Sequence, residues 1–254
     1  MNILDILILG IVQGLTEWLP ISSSGHLVLF HSFLGIQPNI AFDLALHLGT
    51  LLAVFFFFWK DLWKMLLALL RWKTKDYHFK LTGYVFVASL ITGIFGLLFY
   101  DSVQPFFGNV AAVAVFLMVN GIFLIFVNRF LGRHPVGLLS SFAVGLGQVV
   151  SLLPGISRSG TTTGIGILVG IKREEAFRFS FLLSIPAIIG ANLYSLQKEA
   201  FVFSSLTFVG ILVACVTGLL ALQWLQRWLR QSKLHYFGWY CIGIGILVTL
   251  SLIF

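Results

Sequence analysis

The stretch WLPISSSGHLVLF, from Trp18 to Phe30, decides how this chain folds. It sets three serines, a glycine and a histidine just after Glu17, in otherwise apolar sequence. Leu19-Pro20 ends one helix, because the proline ring bars the preceding residue from the helical region. Ser22-Ser23-Ser24-Gly25 starts the next, since a serine hydroxyl accepts a hydrogen bond from the first unpaired N–H groups. A polar bend therefore lies where hydrocarbon is expected.

That expectation comes from the rest of the chain. Its 254 residues are 59% hydrophobic and 10% charged, with mean hydropathy +1.00. A soluble domain carries about 25% charged residues. Apolar runs close to the ~20 residues that span a bilayer recur at 42–59, 82–100, 110–128, 178–195, 206–225 and 236–254. They are continuous rather than alternating, so an all-α polytopic membrane protein is expected instead of a barrel. The net charge of +7 does not point to nucleic acid. Six of the 16 basic residues lie in 60–80, and others cluster at Arg129 and Arg133, at Lys172, Arg173 and Arg178, and at Arg227, Arg230 and Lys233. Such clusters mark cytoplasmic loops, and 60–80 reads as a solvated one.

The bend recurs. GIVQGLTEWLPI-SSSGH from Gly10 matches GLGQVVSLLPGISRSGT from Gly145. Gln13 and Gln148, Ser22-Ser23-Ser24-Gly25 and Ser157-Arg158-Ser159-Gly160, and Ala41-Phe42 and Ala176-Phe177 all stand 135 positions apart. Similarity at a fixed offset marks internal duplication. Repeat 1 is read over 1–128, with a hairpin at 2–34 before its three spans, and repeat 2 over 137–254, with a hairpin at 137–171. The second helix of each hairpin is roughly 18 Å long, too short for about 30 Å of hydrocarbon. Each hairpin is therefore read as re-entrant. Three crossings per half is an odd number, so the halves are inverted, both termini are extracytoplasmic and the first hairpin opens outward. Inverted repeats with broken helices bring polar turns together near the midplane. Ser22–His26 and Ser157–Thr163 are expected to face one another in a cavity.

Ionisable groups within spans mark function by default. Gln13 and Glu17 are four apart and share a helix face. A carboxylate and an amide oxygen there can ligate a hard divalent cation, Mg²⁺ or Ca²⁺, while Glu17 can equally pair with Arg158. Ser22, Ser24 and Gly25 open a helix whose N–H groups and dipole suit phosphate. His26 follows Ser23 by three residues, a spacing that suits a Ser–His pair with the imidazole as general base or acid. Ser157-Arg158-Ser159-Gly160-Thr161-Thr162 is the stronger signal. An arginine at bilayer depth costs at least about 2.5–3.5 kcal/mol, which an anion offsets, and a guanidinium flanked by hydroxyls at a helix N-terminus is a bidentate phosphate clamp. Asp43 and His47, again four apart, are placed as secondary lining of the cavity. Gly93, Gly96, Gly218, Gly243 and Gly245 read as helix-packing positions, and Asn120 as an interhelical hydrogen bonder.

QGLTEWLPISSSGH and LPGISRSGTT resemble the two signature motifs of the bacterial undecaprenyl-diphosphate phosphatases, the bacitracin-resistance family, and the similarity continues through FDLALHLGTLLAVFFFFWKDL. The resemblance implies a hydrolase of the bacterial plasma membrane that removes the terminal phosphate of the C55 isoprenyl diphosphate. Its product carries peptidoglycan precursors, so cell-wall synthesis and bacitracin resistance follow. The expected partners are undecaprenyl diphosphate, membrane lipid and a second copy of the chain. Carried over by motif, Glu17 is the second acidic residue of (E/Q)-x-x-x-E and Gln13 its first position. A glutamine there removes any role needing two carboxylates. Ser23 and His26 match the motif serine and histidine; Ser157, Arg158 and Ser159 match the Ser-Arg-Ser motif. Three attackers on phosphorus stay open: Ser23 with His26 as base, His26 itself, or a water held by Glu17. Glu17, Ser23 and His26 lie on the outward-opening hairpin, so the chemistry is expected on the extracytoplasmic side. The runner-up function is a flippase of an anionic polyprenyl lipid.

Overall fold

Capping residues set the helix ends. Helix α1 (Ile3–Trp18) begins at Asn2, whose side chain accepts from the Asp5 N–H while the Asp5 carboxylate accepts from the Asn2 N–H. It ends at Leu19, which takes the extended conformation that Pro20 imposes. Helix α2 (Ser23–Leu34) begins at Ser22, whose hydroxyl accepts from the Gly25 N–H. It stops at Gly35, left-handed at φ 63°, a conformation nearly free of cost only for glycine. The structure, a computed structural model, describes residues 1–37, 39–198, 205–229 and 233–253. The remaining helices are α3 (Ile40–Phe57), α4 (Trp59–Leu70), α5 (Tyr77–Val103), α6 (Val110–Val127), α7 (Leu138–Val150), α8 (Arg158–Leu168), α9 (Arg173–Lys198), α10 (Ser205–Leu229) and α11 (Leu234–Ile253). No strand forms among the described residues, and the chain is an all-α polytopic membrane protein.

Among the described residues, five segments are long and apolar enough to cross a bilayer: Tyr77–Gly108, Val110–Val127, Arg173–Tyr194, Ser205–Trp228 and Leu234–Ile253. The sixth expected span, 42–59, reaches that standard only together with α4, from which it is bent by 75°. Phe254, the last residue of the expected final span, and Arg230 of the basic clusters lie outside the described residues. The stretch 60–80, read as a solvated loop, is instead helix α4 as far as Leu70 and the start of α5 from Tyr77, with only 71–76 between them. The apolar residues of α4 recur at Trp59, Trp63, Leu66 and Leu70, a helical stripe that the neighbouring lysines mask in the composition.

Small residues let the helices touch. A Cβ on Gly121 in α6 would lie 2.5 Å from the Gly238 carbonyl in α11, and one on Gly238 would lie 2.7 Å from the Gly121 carbonyl, so the two backbones are in direct contact. Gly14 on α1 sits against Thr217, Ala214 and Gly218 of α10 in the same way. Of the packing glycines expected from sequence, Gly218 and Gly245 do adjoin neighbouring helices, whereas Gly93 and Gly243 have open space around them. Helix α1 packs against α10, and α7 against α5. Helices α3 and α9 pair, as do α6 and α11.

Candidate active site

The two polar bends meet. The Gly155 N–H donates to the Ser22 hydroxyl at 3.1 Å, and the Ser159 hydroxyl donates to the Leu19 carbonyl at 3.2 Å. Asn120 of α6 bridges the pair, giving its amide N–H to the Pro20 carbonyl (3.0 Å) and accepting from the Ser157 N–H (3.1 Å). Gly155 can enter this junction because its backbone is left-handed (φ 103°) and a Cβ would lie 2.7 Å from the Val113 carbonyl. The bends that carry Ser22–His26 and Ser157–Thr163 therefore adjoin, through hydrogen bonds that involve Ser22, Ser157 and Ser159.

Glu17 is the hub. Its carboxylate pairs with Arg158 Nη2 and accepts from the Ser23 hydroxyl at 2.6 Å and from Gln13 Nε2 at 3.0 Å. His47 Nε2 stands 3.4 Å from the same carboxylate, and its Nδ1 donates to the Asp43 carbonyl at 2.8 Å. Gln13, Glu17, Ser23, His47 and Arg158 therefore converge, drawn from α1, α2, α3 and the start of α8. Arg158 also lies over the Trp18 ring, 5.6 Å from its centroid. Its other arm, Nη1, is buried with no hydrogen-bond partner among the described residues. A buried, unpaired guanidinium N–H is costly, and an anion is what satisfies it.

Backbone donors join it. The N–H groups of Ser23 and Ser24 at the start of α2, and of Arg158 and Ser159 at the start of α8, make no hydrogen bond among the described residues. The Ser22 and Ser157 hydroxyls cap their helices through the Gly25 and Gly160 N–H groups. Their oxygens are thus already engaged, and what each lends to an anion is a fixed helix start. Thr162 bonds back to the Arg158 carbonyl (2.7 Å) and meets Ser180 of α9 at 2.6 Å, while Thr161 is buried nearby in sequence.

Two expected side-chain roles change. The Ser23–His26 pair does not form. A histidine three residues along a helix points back toward the preceding turn. His26 Nδ1 donates to the Ser22 carbonyl at 2.8 Å, and Nε2 meets the Tyr240 hydroxyl of α11 at 2.9 Å. Ser23 has the Glu17 carboxylate as its acceptor instead. Asp43 does not reach the hub with its carboxylate, which takes the His31 Nε2 at 2.9 Å; only its backbone carbonyl serves the site, by orienting His47. Sequence reasoning passed over His31 and Tyr240. The single signal available was a polar group on an apolar helix, with partners 12 and 214 residues away.

For a divalent cation the donors are few. No cluster of three or more His, Cys, Asp or Glu converges among the described residues. The chain offers the Glu17 carboxylate and the Gln13 Oε1, which is buried without a partner. That set suits a hard cation completing its sphere with water and phosphate oxygens.

The chain is similar to known proteins along its whole length. The undecaprenyl-diphosphatase of Methanobrevibacter smithii is 39% identical over 99% of this chain and 98% of that protein. Those of Moorella thermoacetica (39%; 98% and 97% covered) and Thermosipho africanus (36%; 95% and 97%) are similar to much the same degree. Residues 6–247, which hold both bends and every side chain of the Glu17 hub, match the family model for the bacitracin resistance protein BacA, and the chain belongs to that family.

Proposed function

We propose that this chain is an enzyme that hydrolyses undecaprenyl diphosphate to undecaprenyl phosphate and inorganic phosphate. That reaction recycles the carrier lipid of cell-wall synthesis and underlies bacitracin resistance. The observation that carries the reading is the unsatisfied Nη1 of Arg158, beside a serine hydroxyl already hydrogen-bonded to a carboxylate. The relatives' names supply the substrate class.

The terminal phosphate lies against Arg158 Nη1 and the free N–H groups that begin α2 and α8. Those fixed donors stabilise the charge that builds on the phosphoryl oxygens, the main lever in phosphoryl transfer. Glu17 takes the proton of Ser23 as the Ser23 oxygen bonds to phosphorus and the bridging oxygen leaves with undecaprenyl phosphate, which needs no proton to depart. Water then attacks the phosphoserine, releasing phosphate and regenerating Ser23. Tyr240 occupies the His26 Nε2 that would otherwise attack, which favours Ser23 as the nucleophile. Gln13 and Glu17 would hold a divalent cation, which would supply further charge neutralisation to the diphosphate. Chelation should then lower turnover, and Mg²⁺ or Ca²⁺ should restore it.

The halves are best read as inverted repeats with re-entrant hairpins. Support comes from the exchanged packing of α1 on α10 and α7 on α5, and from α2 and α8, at 12 and 11 residues too short to cross. The family supports a bacterial plasma membrane, and basic loops on the cytoplasmic side would leave both termini and the Glu17 hub facing outward. A flippase reading draws on the same packing exchange. Purified protein in detergent, which has no leaflets to flip between, separates the two. Phosphate release from C55 diphosphate, with a phosphoenzyme trapped on Ser23, is the expected result. Release without any trapped label would move the attack to water, and no release would remove the enzyme.

A further inference from the structure

Helix α4 presents three distinct faces. Asp61, Met65 and Ala68 turn inward, where Asp61 pairs with Arg178 of α9. Arg178 lies over the Tyr77 ring, whose hydroxyl bonds to Glu175, so α4 is pinned to α5 and α9. A second face, Trp59, Trp63, Leu66 and Leu70, is exposed, with Trp59 and Trp63 more than half accessible. The third carries Lys60, Lys64 and Arg71 at the same helical spacing, and Lys73 and Lys75 follow past the exposed, left-handed Trp72. None of these five cations forms an ion pair among the described residues. Of the two acids in this segment, Asp61 is taken by Arg178, and Asp76 caps α5 through the His78 N–H at 2.7 Å.

An exposed tryptophan–leucine stripe beside a lysine row, on a helix bent 75° from the apolar α3, is the geometry of a helix lying in the bilayer interface. The tryptophans need only acyl chains. Five unpaired cations need more, since zwitterionic headgroups leave their charge unbalanced. We propose that α4 and the turn after it form a docking surface for anionic phospholipid. The acyl chain lies in the shallow groove lined by Phe55, Trp59, Leu62, Trp63 and Leu66, and the phosphate meets the lysine row. The site is separate from the Glu17 hub and would stand whatever reaction that hub performs.

The test uses the full chain, purified and offered equal amounts of phosphatidylglycerol and phosphatidylcholine, with retained lipid counted by native mass spectrometry. A lysine or arginine near an anionic surface contributes about fivefold to binding. The wild type should therefore favour phosphatidylglycerol by about tenfold or more. The K60Q/K64Q/R71Q/K73Q/K75Q variant should lose that preference, while R129Q/R133Q, which removes two exposed cations elsewhere, should keep it. If the first variant does not fold, the wild type alone decides. Its preference should fade between about 0.05 and 0.5 M salt, as surface charge is screened. An equal preference for both lipids, a preference indifferent to salt, or an equal loss in both variants would overturn the proposal.

Discussion

Glu17→Gln separates the chemistry of the site from its architecture. The amide keeps the carboxylate's shape and leaves Ser23 an oxygen to donate to, but it cannot take a proton. If Glu17 is the base for Ser23, kcat falls by about 10²–10⁴, the usual span for a lost general base, or about 2.7–5.4 kcal/mol in the barrier. The same change unpairs Arg158. Breaking a buried ion pair costs about 3–5 kcal/mol, and the Arg158 side chain is 15% exposed, which puts the cost at the lower end of that range or beneath it. The resting protein should thus melt at lower temperature, and inorganic pyrophosphate, whose oxygens can take the freed Nη2, should restore part of the loss. KM should stay within about threefold of wild type or fall, because the guanidinium no longer has to be shared with a carboxylate. Phosphate release at saturating and limiting C55 diphosphate, with melting curves in detergent, reads all of these. A variant that melts lower but keeps kcat within about threefold of wild type would show Glu17 to be an ionic strut, refuting its role as base.

Neighbouring serines should differ sharply. Ser23→Ala should lower kcat by at least about 10³ with little change in melting, whereas Ser22→Ala should stay active but lose about 1–3 kcal/mol of stability with its cap and its bond to Gly155. Tyr240→Phe should keep phosphate release within about tenfold of wild type, because the Ser23–Glu17 pair does not run through it; a larger loss would show that the His26–Tyr240 contact takes part in turnover. Gly14→Ala should cost about 1–3 kcal/mol by forcing α1 off α10, read as a lower melting temperature. Gly190→Ala, with no neighbour within 4 Å, should melt at or slightly above wild type.

The bends were legible because proline, serine and glycine act locally. Leu19-Pro20, Ser22 and Ser157 end and start helices through their own backbone and hydroxyls, whatever the tertiary packing. Glu17, Ser23 and Arg158 were legible because charge and hydroxyls stand out against hydrocarbon. Side-chain direction was not. The spacing of Ser23 and His26 suggested a pair, but χ angles in a first helical turn send the imidazole to the Ser22 carbonyl and on to Tyr240. His47 was placed in the cavity and does reach Glu17, while its neighbour Asp43 turns to His31, a contact set by how α2 packs near α3. Helix α4 was hidden by its own lysines, because the eye follows charge density before it follows period.

The hydrogen bonds between the bends also constrain how the protein can move. Ser22, Asn120 and Ser159 tie the crossing at four points, each using a buried polar group. Parting the bends during a cycle would strand those groups, at about 1–3 kcal/mol apiece, in a medium with little water to replace them. A fixed knot at the centre, with outer helices yielding around it, is the cheaper motion. On the proposed reaction, a long isoprenyl chain would then have to come in sideways from the bilayer and present its charged end to a junction that stays closed.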